Sequence, residues 1–330
     1  MHQKYKISGV HAKVPAAPHQ LTDRITPIEK SIVLCHLGVP DIEADGWLLA
    51  IDGMVEKPAV FSFAQLRQFP FHAFQSFHQC AGSPLNPDHP TQRICNVIWG
   101  GALLKDILAN CKVKPEARFL WSSGSDGGVF SEVTCPTYVK DLPIERIEED
   151  VLVAYEMNGK QLLPEHGYPV RLVVPGYYGT NSVKWLNRLE FSSTRASGPF
   201  TTKWYNDTAY SADETPNGET KPVWAVAPQS IIVWPGPKAT IRAGQSLSIW
   251  GWAWADGGVS HVALSTDGGS WFEAEVENQV ERGWQRFSAN WMPPSRGRFT
   301  ILSRATGCDG VIQPLKGRRN ATFSIEIEAI

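Results

Sequence analysis

The chain has 330 residues, with 31 lysines and arginines against 33 aspartates and glutamates, for a net charge of −2. That near-balance excludes a protein built mainly to hold nucleic acid or an anionic membrane, and no apolar run approaches the roughly 20 residues of a membrane helix. With 42% hydrophobic and 19% charged residues, it reads as a soluble globular protein long enough for two domains.

The opening stretch, MHQKYKISGVHAKVPAAPHQ, has lysines but no hydrophobic run behind them and no twin arginine. It is not an export signal as it stands, so cytoplasmic residence is the default expectation. Pro15, Pro18 and Pro27 break regular structure, and residues 1–30 read as a surface arm. The six cysteines, at 35, 80, 95, 111, 135 and 308, contain no CxxC pair, which argues against a zinc ribbon or thioredoxin motif. Reduced thiols are expected.

From residue 31 the pattern is short apolar runs between turns. His36 lies between Cys35 and the turn Gly38-Val39-Pro40, and Trp47 to Ile51 form a strand ending at Asp52-Gly53. Ser62 caps a short helix in FAQLRQF that Pro70 stops. An alternating run then ends at Cys80, followed at once by Ala81-Gly82-Ser83-Pro84. A cysteine at such a loop edge can bind a soft metal, act as a nucleophile, or simply pack. Leu103, Leu104, Ile107 and Leu108 mark a helix face.

DVLVAYEMNGKQLL predicts a hairpin turning at Asn158-Gly159. In PEHGYPVRLVVPGYYGTNSVKWLNRLEF, His166, Arg171 and Lys184 stand at strand edges, near Gly167, Gly176 and Gly179. Singly they are ordinary edge charges; together they can cradle a phosphate. NDTAYSADETPNGETKP is polar and aperiodic and reads as a linker. Beyond it, about seven short strands with turns at Asp256-Gly257-Gly258 and Asp267-Gly268-Gly269 predict an immunoglobulin-like sandwich. Eight of the 13 tryptophans fall in residues 224–291. Trp250, Trp252 and Trp254 share a strand face that serves as core or as a dimer contact. The domains expected are an arm at 1–30, a catalytic domain at 31–215 and a sandwich at 216–330.

The order of these pieces resembles the sulfite oxidase family of molybdenum enzymes, which includes eukaryotic nitrate reductases. The matching segments are CHLGVP at 35–40, HQCAG at 78–82, WGGALLKDIL at 99–108 and AYEMNG at 154–159. EHGYPVRLVVPG at 165–176, SVKWLNRLE at 182–190 and the later GWAW, STDGGSW and RATGCDG segments also match. The resemblance spans roughly residues 25–315. It implies an α+β molybdopterin-binding domain followed by an all-β immunoglobulin-like dimerisation domain, hence a homodimer. It also implies the molybdenum cofactor, with Cys80 as the metal's protein ligand. His36, His166, Arg171, Ser182 and Lys184 match positions that hold the pterin and its phosphate. Asp126, in SSGSDGG, falls near a pterin-binding aspartate. Tyr205, in GPFTTKWYND, matches the active-site tyrosine beside the metal, although a rim aromatic has the same local pattern. The implied chemistry is two-electron oxygen-atom transfer that turns sulfite into sulfate.

The substrate positions depart from this pattern. Leu34 stands where the family has an arginine, Ser83 replaces an asparagine, and Pro84-Leu85 occupy the place of an arginine pair. Losing such charge-assisted contacts costs about 1.5–3 kcal/mol each. Arg93, His78, His89, Lys203 and Lys316 are candidate substitutes. The departure opens a second reading, the same metal site acting on an S- or N-oxide, and a third, an interaction protein without catalysis. The sequence holds no haem-binding domain and no GxGxxG fingerprint, so the expected electron acceptor is a separate cytochrome or oxygen.

Overall fold

Within the polar stretch 206–222, expected to be a linker, the described residues form two paired strands. Asn206–Tyr210 pairs antiparallel with Pro216–Pro222. Almost every residue of the second strand is exposed, so both faces are polar and no apolar alternation marks it. The computed structural model describes residues 4–83, 91, 93–147, 150–210 and 215–330. Pro84-Leu85 and His89 lie outside the described residues. No described helix is long and apolar enough to cross a membrane.

The chain packs as two units. The first comprises Met1–Val14, Val33–Phe74 and Ile98–Trp224; the second comprises Pro15–Ile32, Gln75–Val97 and Ala225–Ile330. The chain leaves the first unit within the strand Phe71–Gln79 and returns within the strand Ile94–Leu103.

In the first unit, Leu186–Ser192 runs parallel to Leu48–Gly53 and antiparallel to Phe119–Gly124. Val139–Pro143 and Ala59–Ser62 complete this five-stranded sheet at its two edges. Alternation fixes its inner face: Leu49, Ile51, Leu120, Leu189 and Phe191 are all buried. Gly53 closes its strand at φ +78°, and a Cβ there would lie 2.3 Å from the Phe191 carbonyl oxygen, so only glycine fits. The Asn158-Gly159 hairpin forms as expected, with φ of 52° and 70°, the left-handed pair that a tight two-residue turn needs. Ser62 caps Phe63–Leu66, its hydroxyl accepting from the Gln65 N–H at 3.3 Å.

The second unit is all-β. Eight strands follow one another in the order Gln229–Trp234, Leu247–Trp254, Gln285–Trp291, Phe272–Val276, Val259–Ser265, Gly297–Gly307, Ile325–Ala329 and Thr240–Ile241. Ile249, Val262, Leu264, Phe287, Ile301 and Ala305 fill its core. Trp252 and Trp254 are buried and Trp250 is half-buried. Trp252 stacks on Trp284 with ring centres 4.8 Å apart. Residues 15–32 are tied in by tryptophan donors: Trp252 Nε1 to the Leu21 carbonyl at 2.7 Å and Trp284 Nε1 to the Arg24 carbonyl at 2.9 Å.

Candidate active site

The cationic residues singled out in 165–184 meet in the first unit because two tight turns fold back on one strand. Pro164–His166 is a single 3-10 turn ended by Gly167 at φ +107°. A Cβ on Gly167 would sit 3.1 Å from both the Arg171 and Lys184 side chains, so the glycine lets these stems close together. Arg171 opens the strand Arg171–Val173, which pairs with Leu152–Met157. The second turn, Gly179–Asn181, brings Ser182 and Lys184 alongside. The Arg171 guanidinium donates to the carbonyls of His166 at 3.1 Å and Ser182 at 3.0 Å, and lies over the Trp99 ring at 4.8 Å. Lys184 Nζ donates to the carbonyls of Leu34 and Glu165, each at 3.0 Å, and contacts Cys35 Sγ at 2.8 Å. Ser182 Oγ accepts from the Val174 N–H at 3.0 Å, which leaves its own proton to donate.

Desolvation sets the electrostatics of this nest. It pushes the Lys184 ammonium below the usual lysine range; neighbouring Cys35 and Asp126 work against the shift and Arg171 works with it. His166 is buried and pushed down to about 3, first by burial and then by Arg171 and Lys184, so it is a neutral imidazole. Burial raises buried Asp126 to about 7, with Lys184 opposing.

An anionic group fits these residues on two observations. His166 Nε2 is buried without a hydrogen-bond partner among the described residues, and such an orphan costs about 1–3 kcal/mol unless a ligand satisfies it. The Lys184 ammonium is desolvated with no carboxylate in ion-pair reach among the described residues, a cost that a phosphate offsets.

A second cluster in the same unit gathers around His36 and Tyr205. Tyr205 Oη lies 2.9 Å from His36 Nε2, and Tyr205 holds a left-handed φ of 58°. Such a conformation is uncommon for a bulky residue and marks a side chain aimed by its surroundings. Phe130 meets the His36 ring edge-on at 4.8 Å, and Phe200 lies 5.5 Å away. Lys140, buried and donating to the Phe200 carbonyl at 3.0 Å, sits 5.7 Å from the centre of the Tyr205 ring. Desolvation lowers it to about 8, with Asp141 opposing. Lys140 escaped the sequence reading because a lysine in a strand next to an aspartate looks like any solvated edge pair.

Cys80 belongs to the second unit and is half-buried there. Its N–H donates to the Arg93 carbonyl at 2.9 Å, and its carbonyl accepts from the Ser83 N–H at 3.1 Å. A buried side-chain network holds the loop. Gln79 Nε2 donates to the Ser83 carbonyl at 2.8 Å and to Asn320 Oδ1 at 3.0 Å, while Trp254 Nε1 donates to Gln79 Oε1 at 2.9 Å. Ser83 Oγ accepts from the Arg93 N–H at 2.6 Å. Of the substitutes considered for the missing arginines, Lys203 and Lys316 are exposed and His78 is buried. Arg93 meets the Cys80 loop directly, through its backbone and its guanidinium.

Residues 36–200 match the family described as the oxidoreductase molybdopterin binding domain, and residues 220–322 match the Mo-co oxidoreductase dimerisation domain. The family models therefore place the chain among proteins with a molybdopterin-binding oxidoreductase domain followed by its dimerisation domain. The mitochondrial sulfite oxidase of Rattus norvegicus is 32% identical over 327 residues, covering 90% of this chain and 59% of the relative. A nitrate reductase of Brassica napus is 28% identical over 293 residues, covering 77% and 31%. The crystal structure of the sulfane dehydrogenase SoxCD from Paracoccus pantotrophus superposes with a TM-score of 0.79 at 29% identity, covering 93% of this chain and 82% of that one. The chain belongs to the sulfite oxidase family, and spans 59% of the length of the rat sulfite oxidase.

Proposed function

We propose that this chain oxidises sulfite to sulfate and passes two electrons to a separate acceptor. The desolvated anion nest of His166, Arg171 and Lys184 is the observation that carries the reading, because it supplies what a phosphate-bearing pterin needs. In this reading Arg171 and Lys184 hold the cofactor's phosphate. His166 and Ser182 hydrogen-bond to the cofactor through the nitrogen and proton left open, and His36 and Asp126 add polar contacts. Cys80 supplies the thiolate that ligates molybdenum. When bound, the cofactor supplies two-electron oxygen-atom transfer. Tyr205, steadied by His36, presents a hydroxyl that can donate to an oxyanion. Residues 220–322 join two copies as a homodimer, and the acceptor is a cytochrome or oxygen.

A second reading keeps the same site for another substrate, an S- or N-oxide or a sulfane. Leu34 and the Ser83-Pro84-Leu85 sequence favour it, as does similarity to a nitrate reductase and to a sulfane dehydrogenase. The two are separated by assaying cofactor-loaded protein both ways: sulfite with ferricyanide or cytochrome c, and S- or N-oxides with a reduced viologen. Sulfite-dependent reduction is expected. Turnover of oxides alone contradicts the sulfite reading.

A further inference from the structure

We propose that Arg93 recognises the anionic substrate at Cys80, in place of the arginines absent from the loop; this deepens the sulfite reading and rests on it. The placement follows from one backbone–backbone bond and one bond to a serine hydroxyl. Arg93 accepts the Cys80 N–H on its carbonyl at 2.9 Å and gives its own N–H to Ser83 Oγ at 2.6 Å. The serine that replaces the family's asparagine is thus the residue that fixes Arg93 across the loop from the cysteine.

The side chain then reaches Gly82, the glycine that Cys80 Sγ also borders. Arg93 Nη1 and Cys80 Sγ lie 3.7 and 3.8 Å from the point where a Cβ on Gly82 would stand, so both border the same bare glycine. Gly82 also donates its N–H toward Cys80 Sγ at 3.4 Å. The guanidinium spends one long bond, 3.4 Å, on the Gly82 carbonyl. No carboxylate pairs with it among the described residues. An arginine carries five N–H donors in a planar fork. Among the described residues most of that fork is uncommitted; it is half-buried and borders the same glycine as the proposed metal ligand.

Chemistry then selects the ligand class. A small oxyanion such as sulfite can accept two parallel N–H bonds and neutralise the guanidinium. A neutral S- or N-oxide offers one weaker acceptor and leaves the charge uncompensated. Arg93 thus argues for the oxyanion and against the neutral oxide.

The test uses oxidised, cofactor-loaded full-length protein, with Arg93→Gln and the charge-retaining Arg93→Lys beside it. Calorimetric titration with sulfate, the inert product, reads binding without turnover. Sulfate affinity is expected to fall about 10- to 100-fold in R93Q and by less in R93K, with molybdenum content unchanged. Sulfite KM is expected to rise in the same order, with kcat changed less. Sulfate affinity unchanged in R93Q overturns the role of Arg93, and sulfite turnover persisting in that variant leaves the sulfite reading intact. Sulfate binding lost in R93Q, in a protein that never oxidises sulfite, supports Arg93 as an anion site and sinks the sulfite reading instead. If R93Q does not fold, the graded loss in R93K decides: affinity equal to wild type overturns the proposal.

Discussion

The anion nest of the first unit and the Cys80 loop of the second are built from opposite materials. In the nest, cationic side chains are held by backbone carbonyls of His166, Ser182, Leu34 and Glu165. The Glu165 and His166 carbonyls come from the first tight turn and the Ser182 carbonyl follows the second, so those turns shape most of the nest. In the Cys80 loop, two backbone bonds are joined by the side chains of Gln79, Ser83, Asn320 and Trp254. A loop held that way can exchange residues while its anchors stay. In the resemblance, the departures fall at Leu34 and Ser83-Pro84-Leu85, while His166, Arg171 and Lys184 match.

The largest predicted effect falls on the loop. Cys80→Ser is expected to reduce sulfite turnover at least ~100-fold and to abolish the thiolate-to-metal absorption band, since removing a metal ligand exceeds the 10–100-fold cost of losing a residue behind one. Persistence of that band in C80S contradicts the assignment of the ligand. Next comes the nest: Lys184→Met removes a charge-assisted contact of about 1.5–3 kcal/mol to the phosphate. Molybdopterin content after purification is expected to drop severalfold or more, and full occupancy in K184M means the nest holds something else.

A smaller effect is expected at Ser83. Ser83→Ala leaves the Arg93 N–H without its acceptor, at about 1–3 kcal/mol if the site stays dry. Sulfite KM should rise while cofactor content stays level, which separates the loop from the nest; a loss of cofactor in S83A would merge them.

The mildest prediction concerns pH in cofactor-free protein. Asp126 sits at about 7 in the fold against 3.8 outside it, so the folded state binds the extra proton between those values. Its contribution is complete below pH 4 and lost as pH rises through 7. Asp126→Asn should therefore raise Tm by a few degrees at pH 8 and by nothing at pH 4. His166 acts in reverse: its folded value near 3 lies below the ordinary 6.5, so it weakens the fold as pH drops from 6.5 towards 3. A D126N effect equal at both pH values contradicts burial of a charged carboxylate.

Local signals in the sequence predict the features that depend on local chemistry. The Asn158-Gly159 turn, the Ser62 cap and the short strands are legible because backbone geometry there demands particular residue types. The nest is legible as three basic groups near glycines, and the family resemblance orders them. The pairing of Asn206–Tyr210 with Pro216–Pro222 is hidden because the second strand exposes nearly every residue. Packing of residues 15–32 and 75–97 with the C-terminal strands has no local sign either. It rests on long-range bonds such as Trp284 to Arg24, and Asn96 Nδ2 to the Arg24 carbonyl at 2.8 Å. Arg93 is visible as one basic residue among several, and only the fold separates it from exposed Lys203 and Lys316.

Electron transfer from sulfite is read by anaerobic titration of the oxidised, cofactor-loaded protein with sulfite while following the thiolate-to-molybdenum absorption band. If the proposed site takes electrons from sulfite, the band bleaches promptly at modest sulfite, with one sulfate formed per site. A band that persists in excess sulfite rules sulfite oxidation out.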